Sequence, residues 1–153
     1  MADSFRRPTI GSAVIYKDPT AALAFLETAF GFERIMVIHD DDGHLVHAEL
    51  RLGGGYIMIG PEWAEHVASP ASLGGKNSQS VHVHLDGDIE AHCARAQAAG
   101  AEVVRELAEQ FWGDRMYSAK DLEGHVWSFG ETVRQVSREE AEAASGLKIE
   151  GWM

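Results

Sequence analysis

The sequence predicts an α+β domain built from two βαβββ modules and closed by a C-terminal helix. Three observations predict it. The length of 153 residues fits one compact unit, since single domains cluster at roughly 100–150 residues. The hydrophobic share of 45% is that of an ordinary globular chain. Above all, the chain is written twice. Gly31 and Gly100 lie 69 positions apart, and the same offset pairs Ala22 with Ala91, Ala29 with Ala98, and Gly11 with Ser80, without a gap.

The elements follow in order. Residues 10–16 read as a short strand. Asp18 suits a helix N-cap, and Pro19 suits the first helical turn, where its missing N–H costs nothing. Ala22, Leu23, Leu26 and Phe30 recur near helical spacing, and Gly31 suits the left-handed position past the helix end. The acidic run Asp40-Asp41-Asp42 with Gly43 reads as a solvated hairpin turn, since the other carboxylates of a calcium loop are missing. Two more strands, LVHAELRL and GYIMIG, flank Gly53-Gly54-Gly55. That run lacks Gly-Lys-Ser and precedes no helix, so it predicts a hairpin rather than a phosphate loop.

The segment SVHVHLDGDIEAHCARAQAAGAEVV then repeats the order strand, acidic turn, Ala-rich helix, Gly, strand, and RMYSAK and HVWSFG complete it. GHVWSFG aligns with GGYIMIG at an offset of 70 (Gly54 to Gly124). The divisions are module one at 9–60, a linker rich in Pro, Ser, Gly and Asn at 61–79, module two at 80–131 and a helical tail at 132–153. Ser137 and Glu140 have the spacing of a capping box, and Gly146 would end that helix. A true repeat predicts two similar sheets related by a pseudo-twofold. Chance similarity of two αβ segments is the competing account.

Composition narrows the partners. Thirteen Lys and Arg against 24 Asp and Glu give a net charge of −11, which disfavours nucleic acid and anionic membrane surfaces. No stretch approaches the roughly 18 apolar residues of a membrane span, and MADSFRRPT lacks an apolar signal core. Cys93 is the only cysteine, so neither an intrachain disulfide nor a cysteine metal cluster can form. With Ile89 and Ala96 it reads as a buried structural thiol. A cytoplasmic location is the expectation.

Asp18, Ala22, Phe25, Phe30, Gly31 and Phe32 in the first unit carry a resemblance, as do Gly113, Asp114, Arg115, Asp121, Glu123, Gly124, His125 and Trp127 in the second. The chain resembles the vicinal oxygen chelate superfamily, which includes glyoxalase, bleomycin-resistance proteins and extradiol dioxygenases, over residues of about 9 to 131. Leu122 departs from the family's D-P-x-G turn, which bears on local stiffness rather than activity. The resemblance implies paired curved mixed sheets around a concave cleft, and a homodimer. In metal-dependent members it also implies His and Glu ligands on the first and last strand of each module. Those positions map to Gly11, Met58, Ser80 and Ser128. None is a His or a carboxylate, and a thioether is a soft donor unsuited to hard or borderline metals.

Strand alternation adds the cleft lining. Val81, Val83 and Leu85 form one packing set, which leaves Ser80, His82 and His84 on the other face. Ala48, Leu50 and Leu52 form another, leaving His47 and Glu49. Trp127 and Phe129 leave Ser128, and Tyr56 and Met58 follow by the repeat. The offset of 70 matches Tyr117 with His47 and places it in the cleft as well. Trp112 reads either as a residue that stacks on a flat ligand or as a core or interface aromatic, and Arg115 either pairs a ligand carboxylate or phosphate or forms an ion pair with Asp114 or a nearby carboxylate. His125 reads as a structural or cleft-rim residue.

These expectations converge on a protein that binds a small, partly aromatic organic molecule in its cleft without a metal, as antibiotic-sequestering members of the superfamily do. The alternative is a metal-dependent lyase, isomerase or dioxygenase with a divalent metal relocated to His47, Glu49, His82 and His84, since His-x-His puts both imidazoles on one strand face. A histidine there could also serve as a general base. An inert subunit or regulator is a third reading.

Overall fold

A computed structural model describes residues 5–153. Module one runs β1 (Ser12–Tyr16), α1 (Pro19–Phe25), β2 (Glu33–His39), β3 (Leu45–Leu52) and β4 (Gly55–Pro61). Module two runs β5 (Val81–His84), α2 (Ile89–Ala98), β6 (Glu102–Glu109), β7 (Asp114–Lys120) and β8 (Val126–Thr132), and α3 (Arg138–Ser145) follows. The sheets have the orders β1-β4-β3-β2 and β5-β8-β7-β6. In each, the first strand is parallel to the last and the remaining pairs are antiparallel. The duplicated pattern thus produces duplicated topology.

Local signals act where expected. The Asp18 carboxylate accepts from the Ala21 amide at 3.1 Å, and Pro19 opens α1. Beyond Phe25 the helix widens into a π-helical turn, Leu26–Phe30, which ends on left-handed Gly31. The apolar spacing gave no sign of that turn. Asp88 caps α2 from a left-handed backbone, and Ser137 with Glu140 closes a capping box on α3. At the β2–β3 hairpin, Asp40 Oδ1 accepts from the Asp42 and His44 amides, which occupies this acidic tip with its own turn.

The helix-facing sides of both sheets share one core. Phe30, at the end of the π-helical turn, lies with its ring centroid 4.8 Å from Phe129 and 5.6 Å from Trp127 of β8. From α2, Arg95 donates to the carbonyls of Glu27 and Thr28. This cation meets the end of the preceding helix, where free carbonyls and the dipole favour it. Cys93 is buried on α2, and burial pushes its thiol pKa up, as suits an unreactive core thiol.

Polar contacts fasten the modules at the β7–β8 turn. Tyr16 of β1 donates its hydroxyl to Asp121 Oδ2 at 2.6 Å, and the Trp127 indole N–H donates to the same oxygen at 3.0 Å. Glu123 accepts from the amides of Lys17 and Asp18 and from the Ser69 hydroxyl at 2.7, 2.8 and 2.6 Å. The acidic residues of this turn therefore join module two to module one. His125 continues the seam, with Nε2 2.6 Å from the Ile15 carbonyl.

A second seam runs through His92 of α2. Its Nε2–H donates to the Phe30 carbonyl at 2.9 Å, so the neutral ring's Nδ1 accepts the Tyr117 hydroxyl at 2.6 Å. Burial lowers the His92 pKa. The folded state therefore favours the neutral ring, and its contribution is full above the unfolded value of about 6.5 and is lost as pH falls through the lowered folded value. Urea denaturation is expected to show stability falling from pH 7.5 to pH 5.5, with a shallower fall in His92→Gln. Equal slopes in the two proteins would contradict this.

Candidate functional site

The faces turned away from the helices are each organised by a row of cross-strand neighbours, whose side chains share a face. In module one the central row is Ala13, Met58, Glu49 and Met36. In module two it is His82, Ser128, Ser118 and Arg105. His47 and Tyr56 lie on the same face as Glu49 by alternation along β3 and pairing with β4. His84 lies beyond His82 on β5, and Ser80 is exposed just before that strand.

Two of the expected cleft residues lie elsewhere. Tyr117 is fully buried on the helix side, stacked on Phe129 and bonded to His92. Arg115, two residues earlier on the same strand, also faces the helix and pairs with Glu90 at 2.9 Å. The reason is the length of one turn. Module one closes its last hairpin between Leu52 and Gly55, whereas module two bridges from Asp121 to His125 with one residue more. The repeat offset is therefore 69 before this turn and 70 only after it. His47 corresponds to Met116, and Glu49 to Ser118. A one-residue slip inverts a strand's faces, and that is the error in placing Tyr117; Arg115 instead takes the second of its two expected partners, a nearby carboxylate.

The module-two face holds a defined polar chain. Thr132 donates to Asp114 Oδ1 at 2.8 Å, so its oxygen accepts from His84 Nε2 at 3.3 Å. The Trp112 indole donates to Asp114 Oδ2 at 3.1 Å. His82 Nδ1 lies 2.7 Å from the Ser128 hydroxyl, and burial and then the neighbouring His84 charge lower its pKa. A cavity of about 900 Å³ opens over this face, walled by Phe111, Trp112 and, from the C-terminal tail, Trp152. Trp152 donates to the Val136 carbonyl at 2.9 Å, and the Ile149 amide to Glu142, which fastens the tail in place. A second cavity of about 440 Å³ brings Tyr56 of module one beside His82 and His84.

The module-one face is centred on Glu49, which is only 5% exposed. Its Oε2 takes the Arg7 guanidinium at 2.7 Å, and its Oε1 lies 3.4 Å from His47 Nε2. Burial alone would raise the carboxyl pKa, but the hydrogen bonds and charges of Arg7 and His47 leave it lowered. Arg7, Asp114, Thr132 and Trp152 join these faces without being among the residues that strand alternation and the repeat point to. Counting β7 back from its own turn would have found Asp114, but nothing local links the termini to the sheets.

The residues at the superfamily's usual ligand positions do not suit its metal. Gly11 offers no ligand, Met58 a thioether, and the Ser128 hydroxyl is engaged with His82. His47, Glu49, His82 and His84 do not gather: among the described residues, the one group of three metal-ligating side chains within 4.8 Å is Asp40, Asp42 and His44, on the exposed hairpin tip.

Residues 9–129 match the family model described as Glyoxalase/Bleomycin resistance protein/Dioxygenase superfamily. An uncharacterized protein of Mycobacterium bovis is 34% identical over 149 residues, covering 94% of this chain and 96% of that one. The crystal structure of TioX from Micromonospora sp. ML1 superposes with a TM-score of 0.68 at 33% identity, over 82% of this chain and 99% of that one. The fosfomycin resistance protein FosX of Listeria monocytogenes shares the fold, with a TM-score of 0.61 at 16% identity over 89% and 98% of the two chains.

Proposed function

The chain belongs to the Glyoxalase/Bleomycin resistance protein/Dioxygenase superfamily, and from that premise we propose that it binds a small, partly aromatic organic molecule in its cleft without the superfamily's usual metal. The observation that supports this reading is the pairing of a large aromatic-walled cavity with Gly11, Met58, Ser80 and Ser128, none a His or a carboxylate, at the superfamily's usual ligand positions. Trp112 and Trp152 engage their indole N–H groups with the protein, so their ring faces are what they offer a ligand. His82 and His84 supply directional hydrogen bonds beside those rings, the usual composition of an organic-ligand site. Fold alone does not fix the chemistry, so the reading rests on these side chains.

Metal analysis of protein purified without a histidine tag tests it, alongside a thermal-shift screen of flat aromatic compounds. The expected result is well under one metal per chain together with at least one stabilising compound. A ligand at a hundred times its Kd adds about 2.7 kcal/mol. Trp112→Ala is expected to abolish the shift. Stoichiometric zinc, iron, manganese or nickel that is lost in His82→Ala would overturn the reading in favour of a metal-dependent lyase, isomerase or dioxygenase. A screen without any hit would favour a regulator or inert subunit.

The same reading carries a homodimer, in which a second copy completes the cleft, and light scattering at micromolar concentration should give twice the chain mass. No helix among the described residues is long and apolar enough to cross a membrane. A cytoplasmic location belongs to this proposal and rests on the lone Cys93.

A further inference from the structure

We infer that Glu49 is the anchor for a cationic group of the ligand, a protonated amine or a guanidine carried on an aromatic molecule, and that Arg7 and Phe5 hold its place when no ligand is bound. The inference rests on the cleft-binding reading and extends it to the face of module one, where Tyr56 borders the cavity that His82 and His84 also line.

Glu49 breaks the repeat. At the equivalent position module two carries Ser118, so the sheet does not require a carboxylate there. A charge buried to 5% exposure is costly unless it is paired. The full cation that pairs it comes from neither sheet. Arg7 belongs to the segment before β1, and its side chain remains 54% exposed. His47, the other partner, is longer at 3.4 Å and is charged only when protonated.

The same segment brings an aromatic ring. Phe5 lies edge-on to Tyr56 with centroids 6.1 Å apart, and the Arg51 guanidinium sits 6.0 Å from the Phe5 ring. Tyr56 in turn lies over Gly11, where a Cβ would come within 2.5 Å of its ring. Residues 5–11 therefore lay a cation and an aromatic ring across the cleft face of module one. A half-exposed strap exchanges its contacts at small cost when the incoming group replaces the ion pair that it gives up. A ligand with the same two groups would take over the buried carboxylate and the Tyr56 face, and the strap would swing away. The exchange is one ion pair for another, so Glu49 is never left bare.

The test uses 2-phenylethylguanidine as the probe and 3-phenylpropanamide as a neutral analogue of similar shape. Binding is followed by titration calorimetry with the full chain and its Arg7→Ala and Glu49→Gln variants. Removing the resident competitor should tighten the cationic probe by about tenfold in Arg7→Ala, because the binding-competent population rises. Glu49→Gln should lose the probe, and the neutral analogue should bind none of the three proteins detectably. Equal affinity in Arg7→Ala and the parent overturns the inference, whether or not Glu49→Gln folds. So does equal binding of the neutral analogue. If flat neutral aromatics still stabilise the protein through Trp112 while the guanidine does not bind, this inference fails and the cleft-binding reading stands. If neither binds, both fail.

Discussion

Replacing Asp121 by Ala is expected to remove on the order of 3–5 kcal/mol of stability. The carboxylate is 8% exposed and accepts four hydrogen bonds. Two come from the backbone amides of Glu123 and His125, and these shape the turn. The other two come from the Tyr16 hydroxyl and the Trp127 indole, both fully buried. Alanine leaves those two donors without an acceptor, and each stranded buried donor costs about 1–3 kcal/mol. Tyr16 belongs to module one and Trp127 to module two, so the loss falls on the contact between them. Typical domains have only about 5–15 kcal/mol in all, so a large part of the margin is at stake. Asp121→Asn keeps the shape but sets an amide nitrogen against two donors, so it should recover only part of the loss. Urea denaturation measures both, and a loss below about 1 kcal/mol for Asp121→Ala would sink the claim. Tyr16→Phe is a milder companion, because it removes the donor together with its need.

Gly113→Ala is expected to cost about 2–4 kcal/mol and to damage the cleft more than the fold. Gly113 has φ +98°, where L side chains are strained. An added Cβ would also run into the Arg134 carbonyl oxygen, a backbone atom that cannot rotate away. The Gly113 carbonyl accepts from the amides of Val133 and Arg134, which pins the exit of β8 to the entrance of β7. Relieving the clash breaks those bonds and shifts the two residues that flank the glycine. Trp112 walls the larger cavity, and Asp114 anchors the Trp112–Thr132–His84 chain. For a chain of this size the melting temperature should fall by roughly 5–15 °C. The near-UV circular dichroism of the indoles should change as well. A variant with unaltered melting and ligand binding would show that the loop absorbs the methyl group without cost.

Much of the fold was legible because local rules recur at a fixed distance. Asp18-Pro19 and Gly31 bracket the first helix, Ser137 and Glu140 cap the last, and period-two alternation separates Val81, Val83 and Leu85 from His82 and His84. These signals act over a few residues, so the chain alone carries them. The candidate site was legible only in part. His47, Glu49, Tyr56, Met58, His82, His84 and Ser128 fall on the cleft faces as alternation requires. Tyr117 does not, because one additional residue between Asp121 and His125 changes the repeat offset in mid-module, and Arg115 takes the nearby-carboxylate alternative with Glu90.

What the sequence determined by itself was the pair of βαβββ modules, their helix limits, and the absence of His or carboxylate at Gly11, Met58, Ser80 and Ser128. Residue type and short-range spacing suffice for each of these. What only the tertiary structure decided was which groups meet. Asp121 joins Tyr16 across 105 residues, His92 reaches the Phe30 carbonyl across 62, and Arg7 finds Glu49 across 42. Contacts of that separation depend on how two sheets and two chain ends come to lie in space. No periodicity along the chain records that, and the chemistry of this cleft depends on such contacts.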